Sequence, residues 1–315
     1  MEYQSEFFGI GGIVARVVSY SESVFTGEHI VTFELTYPRI IHGELMTHRL
    51  FSRNAASSRA IPVALMNAEI IANPAMPVRF GSNKPGMQDG GVFAGTVYGE
   101  WSDGYGELTP QQAWKKATEE AVYWSGQFAE AGYHKQVCNR LTEFAQFMRT
   151  VVTFTGSGAN FFGLRYHGDA DPTIGELARC MYKALEQATP VVLGEGDWHL
   201  PYYKDGSFIK GRDHGLLKAQ KVSASCCAQA SFRKLDPSQE KASVVFSRLV
   251  DSKPVHASPF EHQATPLRKN VGFRNRFVTS VDREGNSWSG NFRNWGQWRQ
   301  VIPGNVIDDG NFQTS

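Results

Sequence analysis

The sequence is short of cysteine, of net charge and of long apolar runs, and each shortage excludes a class of protein. Four cysteines occur in 315 residues, with no CxxC pair, so neither a disulfide scaffold nor a zinc site is expected. A net charge of +1 argues against a general nucleic-acid binder. The chain has no apolar run of about 18 residues, so it predicts no membrane span. We expect a cytoplasmic protein with reduced thiols, since the beginning MEYQSEFFGI is not a signal peptide.

Several segments predict their secondary structure. Residues 10–36 are rich in Val, Ile and Thr and predict strands, with a helix from Pro38 to about Phe51. Residues 61–106 are rich in Gly, Pro and Asn and predict a long loop. The patterns and capping residues predict four later helices: one capped by Thr109 with Pro110 and Gln112, one over about 139–154, one capped by Asp171 over 172–187, and one from Asp236 that buries Val244, Val245, Phe246 and Leu249.

The segment from Thr47 to Ala60 carries most of the candidate functional residues. Its sequence is T-H-R-L-F-S-R-N-A-A-S-S-R-A. If it is helical, His48 and Ser52 share a face because they are four residues apart. Hydroxyls, backbone amides and the guanidinium of residues 57–59 would then suit a phosphate beyond the helix end. A solvated helix end is the alternative interpretation.

This segment resembles the signature of flavin-dependent thymidylate synthases, R-H-R-x-x-S-x-N-E-x-S-x-R-Y. The matching residues are His48, Arg49, Ser52, Asn54, Ser57 and Arg59, whereas Thr47, Ala55 and Ala60 depart from it. The segment N-F-F-G-L-R, which ends at Arg165, resembles the F-x-x-L-R of the same family. It precedes the helix that contains Glu176.

Other family elements occur in a rotated order. Residues 224–232, A-S-C-C-A-Q-A-S-F, resemble the opening strand of the family, and Ser258 to His262 copy its S-P-F-E-H motif. A circular permutation is tolerable because domain termini are often close together. Glu28 and His29 compete for the same motif, and the sequence favours His262 over His29.

The resemblance implies a role for each candidate residue. Arg165, Ser57 and Glu44 would be catalytic. The expected cofactor-binding residues are His48, Arg49, Asn54, Ser52 and His262, the last lining the folate pocket. The expected substrate-binding residues are Ser57, Ser58, Arg59, Lys135, Arg140 and Arg165, with Lys135 preferred to Arg140 for the phosphate. No metal ligands are expected. An ordinary ion pair is the alternative for Arg165, and a surface position is the alternative for Glu44.

The implied reaction is transfer of a one-carbon unit from methylenetetrahydrofolate to C5 of a pyrimidine deoxynucleotide, dUMP to dTMP. It would use FAD and an external reductant such as NADPH. One alternative is hydroxymethylation of dUMP, or C5 modification of dCMP. A second is a cysteine nucleophile, Cys226 or Cys227, in a strand. A third is single-strand binding by the Trp- and Arg-rich stretch 286–300.

The predicted fold is α+β (α/β mixed), with a central mixed β-sheet packed by helices, in a circularly permuted form of the family fold. The resemblance implies a homotetramer with sites at subunit interfaces. We expect one catalytic domain over 1–315. Its regions are the signature at 27–60, an insertion or loop at 61–106, a helical region at 107–190, the permuted elements at 222–265 and a tail at 266–315.

Overall fold

The computed structural model describes residues 3–101, 104–230 and 235–306. Its strands are β1 Ser5–Phe8, β2 Val14–Ser23, β3 His29–Pro38, β4 Ser52–Ala55, β5 Val97–Trp101, β6 Gly104–Leu108, β7 Phe147–Thr155, β8 Val191–Leu193, β9 Trp198–His199, β10 Ser207–Phe208, β11 Ala264–Pro266, β12 Ser280–Val281, β13 Ser287–Ser289, β14 Phe292–Arg293 and β15 Trp295–Gln297.

The α-helices of the described residues are α1 His42–Met46, α2 Val63–Ala72, α3 Pro110–Glu130, α4 Lys135–Cys138, α5 Ala159–Arg165, α6 Pro172–Gln187, α7 Leu216–Ala228 and α8 Gln239–Val250. Short 3₁₀ turns cover Ile10–Gly12, Arg39–Ile41, Asn139–Ala145, Ser258–Glu261, Gly272–Arg274 and Trp298–Val301. None of the described helices is both long and apolar enough to pass through a bilayer.

The main sheet has six strands in the order β1-β2-β3-β7-β4, and β8 joins the edge of β2. All its pairs are antiparallel except the parallel pair of β2 and β8. The expected α+β fold with a central mixed sheet is therefore confirmed. The extended segment predicted over residues 10–36 corresponds to β2 and most of β3.

The two faces of the sheet differ in polarity, as β3 illustrates. Because side chains alternate along a strand, Val31, Phe33 and Leu35 face one side, where they join the main core with α6. Thr32 and Glu34 face the other side, and both are buried. The C-terminal part of the chain covers this polar face, since Tyr202 packs there with Val222 and Cys226 of α7.

Two predicted helices have the expected caps. Thr109 and Gln112 form a reciprocal capping box at the start of α3, which begins at Pro110. The Asp171 carboxylate accepts hydrogen bonds from the amides of residues 173 and 174 at the start of α6. The apolar stripe that predicts this helix from the sequence consists of Ile174, Leu177, Ala178, Met181, Ala184 and Leu185. All of them are buried except Leu185, which is only partly buried.

Two helix predictions near the signature are wrong. Residues 139–154 form a 3₁₀ turn followed by β7, because Phe147–Thr155 pairs with both β3 and β4 in the middle of the sheet. The helix from Pro38 ends at Met46 rather than Phe51, and Ser52–Ala55 is the edge strand β4. Pairing across the sheet overrides the local helical pattern in both segments.

The expectations for the later segments also need correction. Residues 224–228 belong to α7 and not to a strand, and Ser231 and Phe232 lie outside the described residues. The last helix begins at Gln239 with Ser238 as its cap, and Val244 is exposed. Residues 61–106 contain α2 and β5 besides loops. The last nine residues of the predicted tail, 307–315, lie outside the described residues.

Candidate functional site

The Thr47–Ala60 segment runs from a turn into β4, so its polar side chains diverge. His48 lies in the turn and is buried beside Phe161, with the two ring centroids 4.8 Å apart. Ser52 lies on β4 opposite Thr153 of β7 and accepts a hydrogen bond from Asn291 Nδ2 at 3.1 Å. The predicted shared helix face of His48 and Ser52 is therefore wrong. The sheet separates the two side chains.

Arg165 joins two other residues that the sequence singled out. Its NH1 donates to Glu44 Oε2 at 2.8 Å, and its Nε donates to His48 Nε2 at 3.1 Å. Helix α5 supplies Arg165, α1 supplies Glu44, and the turn after α1 supplies His48. Arg165 thus forms one polar group with His48 and Glu44, which precede it by 117 and 121 residues in the chain.

Burial and charge shape the protonation of this group. Burial lowers the pKa of His48, and the guanidiniums of Arg165 and Arg53 lower it further. Burial raises the pKa of Glu44, whereas Arg165 opposes that shift. His48 is therefore neutral at pH 7, which lets its Nε2 accept a hydrogen bond from Arg165 Nε.

The arginine cavity is a pocket of about 480 Å³ beside this group. Thr47, His48, Arg49, Leu50, Phe51, Phe154, Thr155, Gly156, Ser157, Gly158, Ala159, Asn160, Phe161, Leu164, Arg165, Trp288 and Arg293 line it. The lining contains three guanidinium groups and no carboxylate. Its size lies within the range of ligand pockets, and its charge suits an anionic ligand with a flat aromatic part.

Asn54 and His262 meet on the buried face of β4. Their side chains lie 3.2 Å apart, and the Asn54 amide is best satisfied with its nitrogen donating to His262 Nε2. In this orientation the nitrogen also reaches the carbonyl oxygens of Arg53 and Ser258. The segment Ser258–Glu261 thus packs against the signature strand. His262 itself is fully buried and does not line the arginine cavity, and its expected place beside a folate stays a prediction.

His262 belongs to a continuous chain of buried hydrogen bonds across the sheet. Its Nδ1 lies 2.8 Å from Thr153 Oγ1, and this hydroxyl lies 2.6 Å from that of Thr32. The Thr32 hydroxyl lies 2.9 Å from His199 Nε2, and His199 Nδ1 lies 3.0 Å from Ser19 Oγ. If each hydroxyl donates to the next acceptor, every group has a partner, as buried polar groups require. The chain therefore holds Asn54 in one orientation.

Both histidines of this chain are neutral. Burial lowers the pKa of His262 to about 3. Burial lowers the pKa of His199 to about 3 as well, with a further contribution from His262. A proton on either ring would break the one-directional chain, because both nitrogens would then donate.

The turn of residues 57–59 lies next to a different pocket. The α2 cavity has a volume of about 740 Å³ and is lined by Gly12, Thr36, Ala56, Ala60, Ile61, Pro62, Leu65, Met66, Glu69, Ile70, Ala72, Asn73, Ala145, Gln146, Phe147, Arg149 and Ala230. Within the turn, Ser57 Oγ accepts from the backbone amide of Arg59 at 3.3 Å. Ser58 is buried, whereas Arg59 is exposed.

Asn139 fixes this turn in place. Its Nδ2 donates to the carbonyl oxygens of Ser58 at 2.7 Å and Ile61 at 2.9 Å, although 81 and 78 residues separate them in the chain. The sequence pointed to the neighbouring Arg140 as a phosphate contact, and no motif indicated this positioning role of Asn139. Arg140 is exposed and Lys135 is half-buried, and neither lines the arginine cavity or the α2 cavity.

Several residues that complete these sites carry no motif in the sequence. Thr153, His199, Asn291 and Gln297 support the signature strand, and Trp288 and Arg293 line the arginine cavity. The Trp- and Arg-rich composition of the tail was the sequence feature that indicated Trp288 and Arg293. The buried polar residues on β-strands had no motif to reveal them.

The cysteine alternative does not fit the structure. Cys226 and Cys227 are buried in α7. Burial raises the pKa of Cys226 to about 12 and raises the pKa of Cys227 as well, so the reactive thiolate is disfavoured. Within the described ranges, no three His, Cys, Asp or Glu side chains are grouped to hold a metal ion.

Comparison with known proteins provides a family match. The model of the family described as thymidylate synthase complementing protein matches residues 11–191. A solved structure of a UMP/dUMP methylase, PolB from Streptomyces cacaoi bound with 5-bromo-UMP, is similar at 18% sequence identity and a TM-score of 0.42. That similarity covers 56% of this chain and 89% of the methylase chain. No curated protein matches the chain.

Proposed function

Because this chain belongs to the thymidylate synthase complementing protein family, we propose that it transfers a one-carbon unit from methylenetetrahydrofolate to C5 of a pyrimidine deoxynucleotide. The proposed substrate is dUMP and the product dTMP. One observation supports this most directly. Arg165 of the F-x-x-L-R pattern and His48 of the signature meet at the arginine cavity, and Glu44 pairs with the same guanidinium.

The residues of the arginine cavity fit a flavin nucleotide. Arg49 and Arg165 provide donors for phosphates or ring carbonyls. Phe51, Phe154 and Phe161 provide aromatic contact, with centroids 4.9 to 5.1 Å from one another in the two pairs that include Phe51. When bound, FAD would supply the hydride that converts the transferred carbon to a methyl group.

The chain's own residues would bind and orient the reactants. Arg165 would contact the pyrimidine, with its guanidinium held in place by Glu44 and His48. Ser57, Ser58 and Arg59 would bind the nucleotide phosphate, assisted by Lys135 or Arg140. Asn54, which His262 orients, would contact the cofactor from β4.

A homotetramer with sites at subunit interfaces would explain why the signature is split. Within one chain, His48 and Arg49 line the arginine cavity, whereas Ala56 and Ala60 line the α2 cavity. A site built from two copies would bring the arginine cavity of one copy to the 57–59 turn of another. We also propose that the rotated order of family elements reflects a permutation, for which the contact of residues 258–262 with β4 is the support.

The reaction can be tested with purified protein. FAD, NADPH and labelled methylenetetrahydrofolate are incubated with dUMP or dCMP, and the C5 product is identified by mass spectrometry. Methyl transfer consumes one NADPH per product, because the donated carbon must gain two electrons. Hydroxymethylation consumes none, because water completes the product. Absence of a C5 product from both nucleotides, with a protein that binds FAD, would reject the proposal.

Single-strand binding by the stretch 286–300 is less well supported. Trp295 and Trp298 are buried, and Trp298 packs against Phe260 with ring centroids 5.2 Å apart. Stacking platforms for single strands need exposed rings.

A further inference from the structure

The hairpin of β13 and β14 contributes one wall of the arginine cavity. Trp288 and Arg293 are direct partners across the two strands, and both line the cavity. Direct partners project to the same face of a hairpin. This hairpin lies outside the family match, which ends at residue 191. The cavity therefore combines the family signature with a wall from a different part of the chain.

Contacts with the main sheet hold this wall in position. Arg293 pairs with Glu28 through NH2–Oε1 at 2.8 Å and Nε–Oε2 at 3.2 Å, and its backbone amide donates to Thr155 Oγ1 at 3.0 Å. Gly156 lies beneath this ion pair at a φ of +83°, and a Cβ there would lie 3.1 Å from Glu28 Oε1. The two-point contact fixes the guanidinium before any ligand binds.

Trp288 is held at its indole edge. Its Nε1 donates to Asp282 Oδ2 at 2.9 Å, and Asp282 also accepts from the backbone amide of Asn286 at 2.8 Å. The ring is half-buried. An indole that is anchored at its edge loses little freedom when a flat ring stacks on it.

The charges around the cavity select the ligand class. Glu44 neutralises Arg165 and Glu28 neutralises Arg293. Within the described part of the chain, Arg49 forms no ion pair, which leaves one positive charge at the cavity. A flat heteroaromatic ring with a phosphate group satisfies both the indole and this charge.

We propose that Trp288 and Arg293 are ligand-contacting, specificity-determining residues for a heteroaromatic nucleotide in the arginine cavity. Trp288 stacks on the ring of the nucleotide, and Arg293 contacts its polar edge. This inference rests on the proposed function. A flavin nucleotide and a pyrimidine nucleotide share this chemistry, so separate titrations distinguish them.

The test measures binding rather than turnover. FAD binding is followed by quenching of flavin fluorescence, and dUMP binding by calorimetry. We expect Trp288→Ala to raise the Kd of one of the two ligands about tenfold or more. Trp288→Phe should raise it less than about threefold, because it keeps an aromatic ring. Trp124→Ala is the matched control, since Trp124 is an exposed tryptophan on α3.

Arg293 needs a different design, because its removal leaves the Glu28 carboxylate unpaired. The double variant E28Q/R293Q is therefore compared with E28Q alone. We expect the double variant to bind the same ligand at least about fivefold more weakly than E28Q. Near-UV circular dichroism checks that the hairpin remains folded in each variant.

The outcomes separate this inference from the proposed function. If the wild type binds FAD and dUMP, and Trp288→Ala and E28Q/R293Q change both Kd values less than twofold, the hairpin inference is overturned and the proposed function stands. If the wild type binds neither ligand, both are overturned. Weaker binding of FAD alone or of dUMP alone supports the inference and identifies the occupant.

Discussion

At the scale of single residues, Arg165 shows how a family position acquires its role. The sequence places it at the end of an F-x-x-L-R pattern and leaves an ordinary ion pair as the alternative. The structure contains an ion pair, with Glu44 at 2.8 Å, but the same guanidinium also donates to His48 and lines the arginine cavity. The two interpretations are therefore compatible: the ion pair orients the group that would meet the substrate.

Arg165→Lys should impair the site without unfolding the protein. An ammonium cannot donate to Glu44 and His48 in the planar geometry of a guanidinium. We expect kcat/KM with dUMP to fall about 100-fold, because loss of a charged contact in the transition state costs about 2.7 kcal/mol. Arg268→Lys, in an exposed pair with Glu195, is the control and should retain full activity. Unchanged kcat/KM in Arg165→Lys would remove Arg165 from the site.

At the scale of elements, β7 is the strand on which the site depends. It pairs with β3 on one side and with β4 on the other. Thr153 lies near its C-terminal end and connects Thr32 to His262. The sequence predicted a helix over this strand. Met148, Thr150 and Val152 occupy alternate positions and share one face of β7. This pattern can be recognised as that of a strand only when the neighbouring strands are known.

Thr153→Val should break the buried hydrogen-bond chain. Valine has nearly the same shape but offers no partner to His262 Nδ1, and a buried unsatisfied donor costs about 1–3 kcal/mol. We expect the free energy of unfolding in urea to fall by that amount. Thr153→Ser keeps the hydroxyl and should lose less. A free energy of unfolding in Thr153→Val equal to that of the wild type would show that the hydrogen bonds of this hydroxyl provide no net stability.

The two histidines of this chain predict a loss of stability in acid. Their folded pKa values of about 3 lie below the ordinary histidine value of 6.5, so the unfolded state binds more protons at pH 3 to 6.5. Their contribution to stability is complete above pH 6.5 and is lost as the pH falls toward 3. Each histidine lowers the free energy of unfolding by up to about 1.4 kcal/mol per pH unit.

Urea denaturation between pH 7.5 and 4.5 measures this acid dependence. His262→Asn should reduce this slope by one proton, because the variant lacks one of the two buried imidazoles. An acid slope in His262→Asn as steep as in the wild type would contradict the prediction.

At the scale of the whole molecule, the signature is divided between two cavities. His48 and Arg49 line the arginine cavity, whereas the 57–59 turn adjoins the α2 cavity. The proposed tetramer unites the two halves, and this assembly makes a prediction that a single-chain site does not.

Two inactive variants should restore activity when they are combined. Arg165→Lys and Arg59→Gln affect different halves, so co-expressed subunits assemble some sites with both arginines intact. Random assembly gives about a quarter of the wild-type activity. Each variant expressed alone is the control. If the purified mixture is no more active than the variants, each site takes both arginines from one chain.

The sequence predicted the features that depend on near neighbours in the chain. The caps of α3 and α6, the stripe of α6 and the strands of residues 10–36 follow from spacings of two to four residues. The family positions His48, Arg49 and Arg165 were also recognisable, because a motif at constant spacing is local information.

Tertiary structure decided what those residues contact. Residues 52–55 form a strand because they pair with β7. In this strand Asn54 contacts His262, whereas His48, in the turn before it, contacts Arg165. The wall of Trp288 and Arg293 comes from a hairpin more than 120 residues beyond Arg165 in the chain. Contacts over such separations depend on how the sheet folds and what covers each face, and no local pattern of side chains encodes them.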